Sequence, residues 1–472
     1  MRFVGSFLQV FGATLLFPLM VVFFYSEPLI IAVGFLISAT TSITIGTVLK
    51  RVEKSESPTV SEAMFSTVLG WILAIILGSI PLLTHVGVVN AIFESAAGLT
   101  TTGISLIQRP EAIPKSLLFW RSFMQWIGGL GILTFFIAVI RESGGASRRL
   151  FSAEAHKTDS GSIRPSLVKS IIALWKVYIF MTLLIAATMV SLGMPIFDSF
   201  LHGFSTISTG GFSTNSASIA GYSSTGIEAA TVLFMFIGGV NFVLLYRFLR
   251  ADFGSLLNSS EFQLYTKIFL ALSGILSIQI FLSGTGPAFA VLDGAFQSAA
   301  VISSTGYSTL SLMGFSAFIQ LIIIGVMFVG GSLGSTSGGL KIFRLKTMIE
   351  LLKTRIRAYS LPETAINEVK IDGEILEDST VRTISVLFFT WVAVVFASTL
   401  LTIMLEDISL MAALSGTVSS ASNMGPVFLE GDRMLALEPF TKILWAVVML
   451  AGRLEMLPAL AIFNSDLIKD SK

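Results

Sequence analysis

Ten stretches of this chain stay apolar for most or all of the roughly 20 residues that a helix needs to cross the hydrocarbon core of a bilayer, and no other feature limits its fold so tightly. They fall at 3–25, 29–49, 64–83, 117–140, 171–192, 229–249, 268–282, 315–329, 381–405 and 443–463. Backbone amides find no water at that depth, so segments of this kind must satisfy their own hydrogen bonds as helices. Only 12% of the 472 residues are charged, about half the share typical of soluble domains, which excludes a soluble catalyst. The first stretch is longer than a signal-peptide core and no small-residue cleavage site follows it, so it reads as a membrane helix. The chain has no cysteine, which rules out a disulfide framework and a thiolate metal site. A net charge of +1 gives no reason to expect nucleic acid.

Lys and Arg near membrane ends favour the cytoplasmic side. With the N-terminus inside, 23 of the 30 basic residues fall on inner segments and five on outer ones, Arg109, Lys115, Arg121, Arg433 and Lys442, leaving Lys176 and Arg453 within spans. Both termini are therefore expected in the cytoplasm. Lys176, between Trp175 and Tyr178, reads as an interfacial side chain that reaches back to the headgroups.

After the first two helices one pattern recurs four times: a long apolar helix, about a dozen half-apolar residues, a Ser/Thr/Gly cluster and a second long helix. The clusters are ESAAGLTTTGISL around Gly103, HGFSTISTGGFST around Gly211, QSAAVISSTGYST around Gly306 and GTVSSASNMGPVF around Gly425. In the first three copies a polar residue stands nine positions before the glycine (Glu94, His202, Gln297) and an Asn or Asp thirteen before it (Asn90, Asp198, Asp293). The fourth copy has Gly416 and Ala412 there and is the divergent one. Each second helix then carries a pair of small residues, Gly128-Gly129, Gly238-Gly239, Gly330-Gly331 and Ala451-Gly452, at a level where small residues let membrane helices approach closely.

Clusters this polar are tolerated at membrane depth only where they line a wet cavity or are buried in protein. A dozen residues before each suffices for a half-helix that enters the membrane without crossing it, its C-terminal carbonyl end presenting partial negative charge. Ser and Thr oxygens, with carbonyls turned inward at glycine, can replace the hydration shell of a monovalent cation. No carboxylate lies within 101–104 or 423–426, which argues against a divalent site. One such cluster would read as an external loop; four, each enclosed by membrane helices, read as one ring.

The fold class expected is an all-α membrane protein of ten transmembrane helices and four re-entrant pore half-helices. The four helix–pore loop–helix repeats stand in pseudo-fourfold arrangement behind two extra N-terminal helices. The boundaries are 1–60 for the extra helices, 61–150, 151–255 and 256–345 for the first three repeats, 346–380 for a cytoplasmic linker and 381–472 for the fourth repeat. The longest polar segment, Lys341 to Arg382, opens with a basic helical run, KIFRLKTMIELLKTRIR, either a solvated face or a docking surface for a soluble subunit. The run GGSLGSTSGGLK from Gly330 to Lys341 breaks the third repeat's inner helix, because each interior glycine costs about 1 kcal/mol. It forms either a flexible loop able to occlude a pore or a kinked helix with packing glycines. It lacks the GK[ST] ending of a phosphate loop. Arg453, inside the last span, either faces the pore and repels cations until that loop moves or forms a structural ion pair, with Glu455 of another helix or a different carboxylate. His202 reads as a packing or capping residue, with no metal cluster around it. The proton-relay candidates of a coupled symporter, Glu94 and Asp198, are expected near the outer surface, so a channel-like pore leads over H+- or Na+-coupled symport. No catalytic constellation is visible, and no enzyme is expected.

Across essentially its whole length the chain resembles the TrkH branch of the Trk/Ktr/HKT superfamily of K+ transporters. The segments that carry the resemblance are WRSFMQWIGGLGI from Trp120, STGGFSTNSASI from Ser208, GGSLGSTSGGLKIFR from Gly330, SNMGP from Ser422 and GRLEMLP from Gly452. The two extra N-terminal helices favour TrkH over the shorter KtrB type. The resemblance implies K+ uptake across the cytoplasmic membrane of a prokaryote, with K+ as the transported ligand and no organic cofactor in this chain. It implies a K+ filter at Thr101, Thr102, Gly103, Thr209, Gly210, Gly211, Ser304, Thr305, Gly306, Asn423, Met424 and Gly425, with Gly103 where Na+-permeable relatives carry Ser. It also implies a gate in the third-repeat segment, at Gly330, Gly331, Gly334, Gly338, Gly339 and Lys341, and a homodimer of complete pores working with a cytosolic, TrkA-like nucleotide-binding subunit. The departures, STSGG in the third-repeat loop and Ala451 before Gly452, concern the gate rather than the filter.

Overall fold

The structure, a computed structural model, describes residues 1–52, 60–143, 163–360 and 368–456. Its architecture is helical throughout, apart from a two-stranded antiparallel hairpin, Lys370–Ile371 against Glu374–Ile375, in the polar segment before the fourth repeat. Among the described residues six helices are long and apolar enough to cross a membrane, or seven if a bent pair counts as one span. The chain is thus a multi-pass membrane protein.

The difference from ten uniform spans lies in the inner helices. That of the first repeat, Lys115–Ser143, runs for 29 residues. In the second, Thr225–Gly238 gives way to Phe242–Leu249 at an angle of 109°. In the third, Ala317–Val329 stops at Gly330, whose φ of +71° lies outside the helical range, and Ile342–Ala358 begins only after twelve non-helical residues, 330–341. In the fourth, Pro439–Arg453 ends one residue before Leu454, and the remainder of the expected stretch 443–463 lies partly outside the described residues. Each break exposes carbonyls that need partners. In the second repeat the Phe236 carbonyl accepts from the Tyr265 hydroxyl at 2.9 Å, and Asn241 restarts the chain by accepting from the Val243 amide at 2.8 Å.

The N-terminal pair, Arg2–Phe24 (with a turn between Thr14 and Phe17) and Leu29–Val52, crosses at Gly5 and Gly46. A Cβ on Gly46 would sit 2.6 Å from the Gly5 carbonyl oxygen, so the backbones touch where only glycine permits it. Ser42 seals the crossing by donating to the Leu8 carbonyl at 2.7 Å, and Ser38 joins the pair to the first repeat through the Leu77 carbonyl at 2.6 Å.

A short helix precedes each Ser/Thr/Gly cluster: Val88–Leu99, Ile196–Ile207, Pro287–Ile302 and Leu410–Ser422. The inner helix of each repeat packs against the short helix of the next, first on second, second on third, third on fourth and fourth on first. The last contact closes a circle. Its buried core includes Ala96 and Trp120 of the first repeat together with Trp445 and Met449 of the fourth.

Candidate functional site

The four short helices converge on four loops of one backbone conformation. Two positions before each glycine the chain enters the left-handed region, at Thr101 (φ +56°), Thr209 (+52°), Ser304 (+58°) and Asn423 (+51°). The glycines follow at +75°, +77°, +77° and +93° for Gly103, Gly211, Gly306 and Gly425. Asn tolerates that region; a β-branched Thr at positive φ is strained by about 1–3 kcal/mol. Such strain repeated around a buried ring marks a conformation imposed by its surroundings. The N–H groups of the loops are spent backwards on the helix ends: Thr102 donates to Ala97, Gly210 to Ser205, Gly306 to Ala300 and Met424 to Ser419, all at 2.8–3.0 Å. The loop carbonyls are thereby left to face elsewhere.

Each comes to lie against the glycine of a neighbouring loop. A Cβ placed on Gly103 would collide with the Gly210 carbonyl oxygen, one on Gly211 with that of Thr305, and one on Gly306 with that of Met424. One on Gly425 would lie 3.0 Å from the Thr102 carbonyl oxygen. The sequence of contacts runs from the first loop to the second, third and fourth and back to the first, so the twelve filter residues expected from the sequence meet in one closed ring.

Behind the ring, the position nine before each glycine holds the departing chain. Glu94 accepts from the amides of Leu106 and Ile107 and from the Ser105 hydroxyl, while its second oxygen takes Arg121 Nε at 3.2 Å. Glu94 is wholly buried, and Arg121, counted above as an outer charge, is buried with it. Asp198 is half-buried. His202 pairs Nδ1 with the Asp198 carbonyl at 2.8 Å and Nε2 with the Ser213 hydroxyl at 3.1 Å. The Gln297 amide oxygen accepts from the amides of Thr309 and Leu310 at 3.0 and 3.1 Å. The fourth repeat does the same work one residue earlier, where the Ser415 hydroxyl accepts from the Phe428 amide at 2.9 Å. Gly416 is bare because the Trp445 ring fills the space of a side chain.

Below the ring lies the segment 330–341. Thr336 donates to the Ile207 carbonyl at 2.9 Å. Ser304 Oγ meets Ser337 Oγ at 2.9 Å and accepts from the Gly338 amide at 2.7 Å. A Cβ on Gly338 would strike the Ser422 carbonyl. The base of the segment is laced to the break in the second repeat, Ser332 N to Gly239 O at 2.9 Å and Phe242 N to Gly334 O at 3.1 Å. A buried carboxylate, Glu261, accepts from the Leu333 amide at 2.6 Å. Gly331 donates to Ser337 Oγ at 2.9 Å, Gly330 and Gly339 lie back to back, and the Lys341 ammonium reaches the Ser337 carbonyl.

Arg453 is buried and its guanidinium donates to three carbonyls, Thr336 at 2.9 Å, Gly128 at 2.7 Å and Gly129 at 2.9 Å. Glu455 bonds Arg344 instead. The register of the fourth repeat explains the placement. Gly128 fits against the carbonyl of Leu99, four residues before its filter glycine, and in the fourth repeat it is Gly452, not Ala451, that fits against the corresponding Ala421 carbonyl. Arg453 therefore occupies the place of the second small residue, Gly129 or Gly239. These small residues admit the ends of the short helices more than they admit one another.

At the rim, Glu111 joins the first two repeats by accepting from the Ser216 hydroxyl at 2.8 Å and its amide at 3.2 Å. Its own backbone N–H, then the Ser216 hydroxyl, holds its carboxyl below the usual range, so the contact stands at neutral pH and is lost on acidification through that lowered value. Sequence reasoning did not single out Gln125, Glu261, Ser415 or Thr336: Gln125, Glu261 and Thr336 act on residues distant in the chain, and Ser415 stands one position from the register of the other three anchors.

A family model described as TrkH, cation transport protein, matches residues 33–471. An uncharacterized cation transporter of Methanocaldococcus jannaschii is 31% identical over 470 residues, covering 98% of this chain and 94% of the relative. The Trk system potassium uptake protein TrkH of Salmonella typhimurium is 28% identical over 477 residues, covering 98% and 97%. The crystal structure of the potassium transporter TrkH from Vibrio parahaemolyticus superposes with a TM-score of 0.87 at 26% identity, covering 99% of this chain and 98% of that one.

Proposed function

Since the chain belongs to the TrkH family of cation transport proteins, we propose that it takes up K+ across the cytoplasmic membrane through the ring of four loops, with the segment 330–341 as its gate. One observation carries the reading: the cyclic contact of Gly103, Gly211, Gly306 and Gly425 with the neighbouring loops' carbonyls, on a backbone repeated four times. Carbonyls and hydroxyls so fixed replace the water of a monovalent cation, and four short helices direct their C-terminal partial charges at it. The ring is complete within one chain, so the homodimer we propose holds two pores.

The same geometry supports a closed gate. The tip of the segment, Thr336 to Gly338, touches the second, third and fourth repeats, and Arg453 ties it to the first. Ser304, in the filter, bonds the tip directly. Replacing it by Ala removes one or two bonds of about 1 kcal/mol each, and we expect a several-fold rise in resting Rb+ leak with the K+ preference retained; an unchanged leak would remove Ser304 from the gate. The helix Ile342–Ala358 follows directly on the segment and exposes Leu352 and Ile356, with Tyr359 exposed just beyond its end. With both termini in the cytoplasm it stands where a TrkA-like nucleotide-binding subunit could pull on the gate.

The test is uptake of radioactive Rb+ or of K+ into proteoliposomes under an imposed potential with no pH or Na+ gradient, wild type beside Gly103→Ser. The added side chain meets the Gly210 carbonyl at a residue whose φ is +75°, so we expect K+-selective uptake by the wild type and loss of discrimination against Na+ in the variant. Uptake that appears only when a proton or sodium gradient is supplied would make the chain a coupled symporter and leave the ring an ion-binding site alone.

A further inference from the structure

The ring has one unequal member. Of the four carbonyls that stand one residue before the glycines, those of Thr102, Gly210, Thr305 and Met424, only that of Gly210 accepts a hydrogen bond from the protein among the described residues. The donor is Gln125 Nε2 at 2.6 Å, and Gln125 Oε1 accepts from the Phe212 amide at 3.2 Å. One side-chain amide from the first repeat's inner helix thus brackets Gly211 of the second repeat on both sides. Gln125 has no exposed surface.

Two substitutions within the fourfold pattern go together. Three residues before Gly238, Gly330 and Gly452 the chain carries Met235, Met327 and Met449, where Gln125 stands three before Gly128. One residue before the filter glycine, the other loops carry Thr102, Thr305 and Met424 where the second carries Gly210. Gly210 is not in the left-handed region, so its backbone does not require glycine. Its side-chain space is taken, since a Cβ there would lie 2.6 Å from Gln125 Oε1 and 2.8 Å from Nε2. Gln125 and Gly210 are two halves of one substitution.

We propose that Gln125 is a specificity-determining positioning residue, which ties down the Gly210 carbonyl and leaves three free carbonyls and one restrained carbonyl at that level of the ring. An amide proton on one lone pair weakens that oxygen as a ligand and fixes its distance from the axis, so the site resists contracting around the smaller Na+. This deepens the filter reading and rests on it.

The experiment measures Rb+ uptake and its competition by Na+ for Gln125→Met, Gly210→Thr, the double variant and Gly103→Ser in the same proteoliposomes. Gln125→Met should keep uptake and lower the K+ preference by about tenfold, the effect of losing one hydrogen bond at a buried acceptor. Gly210→Thr alone should abolish uptake by collision with Gln125. The double variant, which rebuilds the Thr and Met found at other repeats, should recover uptake while keeping the lowered preference. A double variant no better than Gly210→Thr, or Gln125→Met with unchanged preference beside an altered Gly103→Ser, overturns this inference alone. If Gly103→Ser also leaves the preference unchanged, the filter reading itself fails.

Discussion

Arg453→Ala is expected to raise K+ flux through the unstimulated protein by at least about tenfold, because a single lost hydrogen bond from a charged donor is worth roughly 1.5–3 kcal/mol and tenfold corresponds to about 1.4. Arg453 makes three such bonds, and they join the loop tip at Thr336 to Gly128 and Gly129 on the opposite side of the circle. A planar guanidinium can serve several carbonyls at once, which an ammonium on a flexible stem cannot. Arg453→Lys therefore separates two roles in the same flux assay. If Arg453 acts as a clasp, Lys gives an intermediate leak. If its positive charge alone repels cations, Lys keeps the pore as tight as the wild type. Flux unchanged in Arg453→Ala would end the gating role altogether.

The second large effect is on folding. Glu94→Ala should cost about 3–5 kcal/mol, the range for breaking a buried ion pair from one side. Arg121, 3% exposed, would keep its charge without its carboxylate, and the amides of Leu106 and Ile107 would lose their acceptor. Cation–π contact with the Phe212 ring, 4.2 Å away, and the Ser105 hydroxyl at 2.7 Å compensate only partly. Thermal unfolding of the detergent-solubilised protein, followed by the loss of its monodisperse elution peak, measures the cost. Glu94→Gln should fall between, since an amide oxygen still accepts from the departing chain but leaves Arg121 unpaired. Wild-type stability in Glu94→Ala would show that the pair behind the first loop holds nothing up.

Much of this was readable before any fold. Runs of apolar residues fix where helices cross a bilayer, and the spacing of Gly103, Gly211, Gly306 and Gly425 within their clusters fixes four equivalent loops, because both are properties of a local stretch and its solvent. The glycine-rich run from Gly330 marked a break in a helix for the same reason. The fourth repeat was read one residue out of register at Ala451-Gly452, since only contact with the Ala421 carbonyl identifies Gly452 as the counterpart of Gly128. Gly416 looked like a lost anchor, whereas Ser415 supplies it and Trp445 takes the vacated space.

The sequence by itself determined that the chain lives in a membrane, that it is built from four copies of one unit, and which residues form the loops, for these follow from hydrophobic period and backbone freedom over a few residues. Tertiary structure alone decided which groups hold the four loops and the segment 330–341: Gln125 meets Gly210 across 85 positions of chain, and Arg453 meets Gly128 across 325. A buried donor is satisfied by whatever acceptor the closed circle brings within 3 Å or so, and separation along the chain has no bearing on that distance.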